Sequence, residues 1–361
     1  MIPIVYFRSS SFNAHRSCPT SFYGEYVLGI RGNSGKKADK GTITHKILEL
    51  MALCKKAEQD GIHEIDDEEI GLVFADVSDP EYVNTIATRV YEYYVRKCDY
   101  HVGKNAWCDK DFKDCLSWAW KALDFNDGQF DPRKRDVIAA EPHFDFEIER
   151  PWAKYSYKKQ GLDGYLKLKG TIDLVTDLGD GVYEVIDWKT GRRSDWATGK
   201  EYTQANMKDN PQMRLYHWAC KTLYPEAHTL LMTMYFINEG GPFTVHYEDD
   251  DLKKTEEMVR DRFQIIKATE HPKYLPQIDK SMCWKCRYVC DLGKTTFENT
   301  HIKPEIEQRY GQRTRYGEYM TKCEQIRYMI KRHGIEWVTE NYIDPEHTHG
   351  RYGQGGGKIQ D

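Results

Sequence analysis

The stretch that most constrains this chain runs from Gly170 to Gly191, GTIDLVTDLGDGVYEVIDWKTG. Two runs rich in branched apolar residues, Thr171 to Thr176 and Val182 to Thr190, flank Asp177 to Gly181. That middle cluster of Gly and Asp tolerates positive φ, so the spacing predicts a β-hairpin. On a strand, side chains i and i+2 share a face, which makes Asp187 and Lys189 project together. A carboxylate and an ammonium on one face of an apolar strand are costly to bury without a purpose. Asp173, on the first strand, brings a second carboxylate beside them, and oxygen donors of this kind suit Mg²⁺ or Mn²⁺. A surface hairpin with a salt bridge would use the same residues, so the rest of the chain has to decide.

With 361 residues the chain is long enough for one elaborated domain or two modest ones. Hydrophobic residues make up 40% and charged residues 30%, as in a soluble globular protein, and no apolar run is long enough to span a bilayer. The start, MIPIVYFRSS, lacks a signal-peptide pattern, and the expectation is an intracellular protein with no membrane partner. In a reducing compartment ten cysteines point to metal ligation or plain burial rather than a disulfide framework. A net charge of -5 gives no global sign of nucleic-acid binding, so any such binding must use local basic patches.

Ahead of the hairpin, Cys18-Pro19 is followed by an aromatic helical face made by Phe22, Tyr23, Tyr26 and Val27. Gly35 to Lys40 reads as a basic loop, and a helix is expected from near Thr42 with an apolar stripe of Ile43, Ile47, Leu50 and Met51. His45 falls opposite that stripe, free to face a site. Gln59 to Asp76 reads as a solvated acidic segment, and Asp79 to His101 and Lys110 to Asp124 as amphipathic helices whose aromatic rings belong to a core more often than to a stacking surface. Arg133-Lys134-Arg135 reads as solvated. Val137 to Arg150 alternates like a single strand with Glu141 at its head, either a member of a metal shell or an exposed strand-end acid.

Beyond the hairpin, the loop carrying Arg192 and Arg193 could hold a phosphate. Asn210-Pro211 starts a helix as a cap followed by Pro at the first position, with Gln212 and Tyr216 one turn apart on one face. Cys283, Cys286 and Cys290 are spaced C-x2-C-x3-C, which suggests a metal or cluster site lacking one ligand, with Cys18 as the obvious fourth.

Taken in order, Cys18, His45, Asp173 with Asp187-x-Lys189, Gln212-x-x-x-Tyr216 and the Cys triplet resemble the RecB-like branch of the PD-(D/E)XK nuclease superfamily with a four-cysteine iron–sulfur cluster. AddB-type helicase-nuclease subunits and the CRISPR-adaptation nucleases are similar. The resemblance covers most of residues 11 to 290 and implies an α/β restriction-endonuclease-like core, a central mixed sheet flanked by helices. A helical insertion and a terminus stapled by the cysteine cluster complete the expected fold. The implied division is 1–58 (first cluster ligand and first nuclease motif), 59–135 (insertion), 136–300 (nuclease core and Cys triplet), 301–343 (helical extension) and 344–361 (Gly-rich tail).

The resemblance further implies a metal-dependent deoxyribonuclease, an exonuclease rather than an endonuclease, in DNA repair, recombination or phage DNA processing. His45, Asp173, Asp187 and the Trp188 carbonyl would hold Mg²⁺ or Mn²⁺, with Glu141 assisting and Lys189 catalytic. Gln212, Tyr216, Arg192 and Arg193 would contact DNA, as a single strand or an end. Cys18, Cys283, Cys286 and Cys290 would hold a [4Fe–4S] cluster, with Zn²⁺ as the alternative. The sequence has no Walker loop, so a helicase or recombinase partner is the expected source of any ATP motor. Two rival readings are a catalytically silent DNA-binding module of nuclease fold and a zinc-stabilised interaction protein.

Overall fold

A computed structural model describes residues 4–17, 22, 26, 34–76, 79, 81–158, 161–195, 199–268 and 334. The four expected cluster cysteines, the C-terminal extension and the Gly-rich tail lie outside the described residues. The architecture is mixed α/β. Its centre is a five-stranded sheet in the order β12-β11-β10-β9-β4, made of Gly241–His246, Thr229–Phe236, Val182–Lys189, Leu174–Asp177 and Asp136–Ala140. Strands β10 and β11 run parallel and their neighbours antiparallel, so the sheet is mixed. A second sheet, in the order β1-β8-β5, joins Tyr6–Phe7, Lys167–Thr171 and His143–Glu147.

Strand β10 is the central strand of its sheet, and Glu184 to Trp188 are all buried. That continuous burial follows from helices covering both faces. On one face Val175, Val185, Met232 and Met234 pack with α1 (Ser9–Ser17), α6 (Pro211–Leu223) and α7 (Asp249–Ala268). On the other, Leu174, Ile186, Trp188 and Tyr235 pack with α2 (Lys36–Gln59), α3 (Tyr82–Lys97) and α4 (Asp109–Asp124). The short helix α5 (Gln204–Met207) lies against β12. The expected hairpin is present as β9 and β10, with Gly179, Asp180 and Gly181 all at positive φ in the turn.

Several expectations need correction. The run Thr171 to Thr176 is not one strand. It breaks at Ile172-Asp173 because the chain leaves the second sheet at the end of β8 and enters the first at β9. Val137 to Arg150 likewise divides into β4 and β5, and Glu141 sits in the break at φ 47°, not at the head of a strand. Helix α2 begins at Lys36, not near Thr42, so the expected basic loop is its first turns. Gly41, inside that helix, is a close-approach residue. A Cβ there would stand 2.7 Å from Thr190 Oγ1, at the end of β10.

The acidic segment from Gln59 folds into the antiparallel pair β2 (Glu64–Asp67) and β3 (Gly71–Phe74), with Asp67 buried. A last antiparallel pair joins β6 (Lys154–Tyr157) to β7 (Leu162–Tyr165). The basic run at Arg133 to Arg135 is not simply solvated. Arg135 Nη1 donates to Glu184 Oε2 at 2.6 Å and to Thr176 Oγ1 at 2.8 Å. Most of the aromatic residues of the insertion, Trp107, Phe112, Trp118 and Trp120 among them, pack against the core that α2, α3 and α4 share.

Candidate active site at the break between the two sheets

The two chain breaks bring the site together. Glu141 follows β4, Asp173 precedes β9, and the backbone N–H of Glu141 donates to the carbonyl of Asp173 at 3.0 Å. Both carboxylates therefore leave the sheet at the point where its backbone pairing ends. His45 reaches them from α2. One donor atom from each of His45, Glu141 and Asp173 lies within 4.8 Å of the others, a spacing that could hold one cation. His45 Nδ1 is 3.4 Å from Asp173 Oδ2, and the Trp188 N–H donates to the same oxygen at 2.8 Å.

Asp187 and Lys189 share a face of β10, as their i,i+2 spacing requires, with Lys189 Nζ 2.5 Å from Asp187 Oδ2. Asp187 Oδ1 accepts from Gln212 Nε2 at 2.9 Å, and Gln212 also donates to Tyr216 Oη at 3.0 Å. Helix α6 aims this pair because Asn210 caps it, with Oδ1 accepting from the N–H groups of Gln212 and Met213.

The electrostatics are those of three crowded carboxyl groups sharing His45 and Lys189. Burial pushes Glu141 up to about 9, and the neighbouring Asp173 adds to the shift. Asp187 is pushed up to about 6 by burial and Asp173, against the pull of Lys189. Asp173 goes the other way: burial opposes its charge, but His45, Lys189 and the Trp188 N–H outweigh it. His45 and Lys189 are each raised, because the surrounding carboxylates outweigh burial. Their side chains keep 26% and 29% exposure, so water reaches both.

The donor set fits a small hard cation. It offers carboxylate oxygens and one imidazole, with the buried Asp187 carboxylate beside them. Glu49 escaped the sequence reading. It lies four residues after His45, on the same helical face, and its charge bears on Glu141. The i,i+4 spacing from His45 was the available signal. Arg192 is exposed in the loop after β10, and Arg193 pairs with Glu201 and donates its N–H to Glu239 at 2.8 Å.

Comparison with known proteins gives a family. A structural likeness is found to a solved protein named "Putative exonuclease" from Eubacterium rectale. It has 10% identity and a TM-score of 0.41, and covers 73% of this chain and 80% of that one. No relative is found among curated proteins. The family model that matches does so over residues 9–291, a span that holds His45, Glu141, the Asp173/Asp187/Lys189 set and Gln212. On that match the chain belongs to the PD-(D/E)XK nuclease superfamily.

Proposed function

We propose that this chain is a divalent-metal-dependent DNA nuclease, and an exonuclease acting on single strands or DNA ends. The observation that carries this reading is the convergence of His45, Glu141 and Asp173 next to the buried Asp187 and its ion-pair partner Lys189. Those residues would hold Mg²⁺ or Mn²⁺, together with the Trp188 carbonyl. When bound, the ion supplies Lewis-acid polarisation of the phosphodiester and a more acidic water.

The chain's own residues do the rest. Lys189, held cationic by Asp187 and Asp173, orients the attacking water and offsets the negative charge that grows on the phosphate. Gln212 fixes the Asp187 carboxylate, and the buried Tyr216 fixes Gln212. Both would also contact the substrate strand. Arg192, exposed just past β10, would neutralise a backbone phosphate, with Arg193 beside it. Hydrolysis adds water across one P–O bond and leaves a phosphate monoester and a hydroxyl.

Cys18, Cys283, Cys286 and Cys290 would carry a [4Fe–4S] cluster that staples the two ends of the nuclease core, with Zn²⁺ as the alternative. Supporting this, Arg262 Nη1 and His15 Nδ1 lie 2.9 Å apart, so the end of α1, three residues before Cys18, is tied to α7. A helicase or recombinase would supply any motor function, in repair, recombination or phage DNA processing.

The test is end-labelled single- and double-stranded DNA incubated with anaerobically purified protein and Mg²⁺ or Mn²⁺, beside Lys189→Ala. Progressive loss of label that vanishes in the variant is the expected result. Binding without cleavage in both proteins would replace this reading with a silent DNA-binding module. A brown colour lost on changing Cys286 is expected for iron–sulfur, and a colourless zinc protein overturns that part.

A further inference from the structure

Behind the candidate metal centre lies a second charged cluster. Lys46, next to His45 on α2, is almost wholly buried, with 9% of its side chain exposed. Its ammonium donates to Glu49 Oε1 at 2.8 Å and to Asp67 Oδ2 at 2.6 Å. Adjacent helical residues point about 100° apart, so His45 turns to Asp173 while Lys46 turns to the β2–β3 hairpin. Glu49 is one turn from both and stands, with Lys46, in electrostatic reach of Glu141. Asp67 is itself fixed: its Oδ1 accepts from the N–H groups of Glu69 and Ile70 at 3.0 and 2.9 Å. Helix α3 secures the same turn, with Tyr94 Oη donating to Glu69 at 2.6 Å and Arg89 donating to the carbonyls of Ile70 and Leu72.

We propose that Lys46, clamped between Glu49 and Asp67, is a positioning residue through which the hairpin and α3 hold His45 and Glu141 in register for the cation. This deepens the metal-dependent reading above and rests on it. A buried ammonium between two carboxylates fixes the roll of α2 about its axis, because any rotation would strand one of three charges away from water. The roll of α2 in turn sets where His45 and the neighbouring Glu49 meet Glu141. It also makes the hairpin part of the nuclease centre and not an appendage to it. Partners that orient metal ligands from behind commonly account for 10–100-fold in affinity.

The experiment is calorimetric titration of the full metal-free protein with Mn²⁺ and no DNA, for wild type, Lys46→Met, Lys46→Arg and Asp67→Asn, with each variant's melting temperature recorded. The expected result is Mn²⁺ binding weakened about 10–100-fold in Lys46→Met and Asp67→Asn, and retained within a few-fold in Lys46→Arg. Folded Lys46→Met or Asp67→Asn that binds Mn²⁺ as tightly as wild type overturns the proposal. If Lys46→Met fails to fold, Asp67→Asn decides alone, since its amide oxygen still accepts the turn's N–H groups. Wild type that binds Mn²⁺ yet cleaves no DNA sinks the nuclease reading and leaves this test standing. Wild type that binds no Mn²⁺ sinks the cation centre, and the positioning role with it.

Discussion

At the scale of single residues, the charges of the centre are held by specific neighbours, and each has a consequence that can be measured. In the proposed reaction Lys189 offsets the negative charge that grows on the phosphate, so Lys189→Ala is expected to lower the cleavage rate about 10²–10³-fold, with a change in KM much smaller than that in kcat. A raised KM with kcat unchanged would assign it to substrate binding. His217 on α6 poses a different question. It is fully buried, neither ring nitrogen has a hydrogen-bond partner among the described residues, and it packs on Tyr247 with ring centroids 5.0 Å apart. Burial, aided by Lys221, drops it to about 4 from the usual 6.5. The unfolded chain then binds a proton between those values that the folded chain refuses. Its contribution is intact above pH 6.5 and is lost as pH falls towards 4, on the order of 3 kcal/mol in all. His217→Phe should therefore gain more stability at pH 5 than at pH 8 in urea melts, and equal gains would show that the imidazole does not titrate. The sequence made Asp187, Lys189 and His45 legible because strand and helix periods are fixed by backbone geometry. It hid Asp67, because a carboxylate in an acidic stretch looks solvated until the fold buries it.

At the scale of elements, the site depends on how α2 and β4 lie against β10. Gly41 lets α2 approach Thr190 closely, and two effects compete when it is replaced. Alanine in a helix is favoured over glycine by about 1 kcal/mol, while overpacking costs about 1–3 kcal/mol. Gly41→Ala alone is expected to be neutral to destabilising, whereas Gly41→Ala made in a Thr190→Ala background should stabilise by about 1 kcal/mol. Additive effects in that double-mutant cycle would mean that the two side chains do not meet. A second joint ties β4 to β10 and β11: Arg135 pairs with Glu184, which also accepts from Thr233 Oγ1. Removing Arg135 strands a buried carboxylate, so Arg135→Ala is expected to cost about 3–5 kcal/mol, and Arg135→Met with Glu184→Leu much less. If the single change costs as little as the double one, water reaches Glu184. Neither joint could be read in advance. The approach of Gly41 to Thr190 joins residues 149 apart and leaves no local pattern, and Arg135 looked solvated because its partner is 49 residues away. The hairpin of β9 and β10 was legible, since its turn chemistry and strand pattern are local.

At the scale of the whole molecule, the centre lies at the seam of two cores. One packs α1, α6 and α7 against the sheet, the other packs α2, α3 and α4. His45 comes from a helix of the second, Gln212 and Tyr216 from a helix of the first, and Glu141 and Asp173 from the breaks where one sheet gives way to the other. A cation bound there would cross-link both cores, so its effect on stability should be global. Without it, the acids are a liability. Glu141 is half-buried beside Asp173 in a positive-φ conformation, and folding at neutral pH must put a proton on its raised carboxyl, a cost that a neutral amide avoids. Glu141→Gln is therefore expected to melt above wild type in EDTA. With Mn²⁺ at a hundred times its dissociation constant, wild type should gain about 2.7 kcal/mol and the variant much less, so the order reverses. Asp173→Asn should behave differently, losing stability in EDTA as well, because Asp173 accepts the Trp188 N–H and faces His45. Thermal melts of the three proteins with and without Mn²⁺ check this. A Glu141→Gln protein that melts below wild type in EDTA would show that Glu141 is a structural acid, and an unchanged gain from Mn²⁺ would remove it from the cation's ligands.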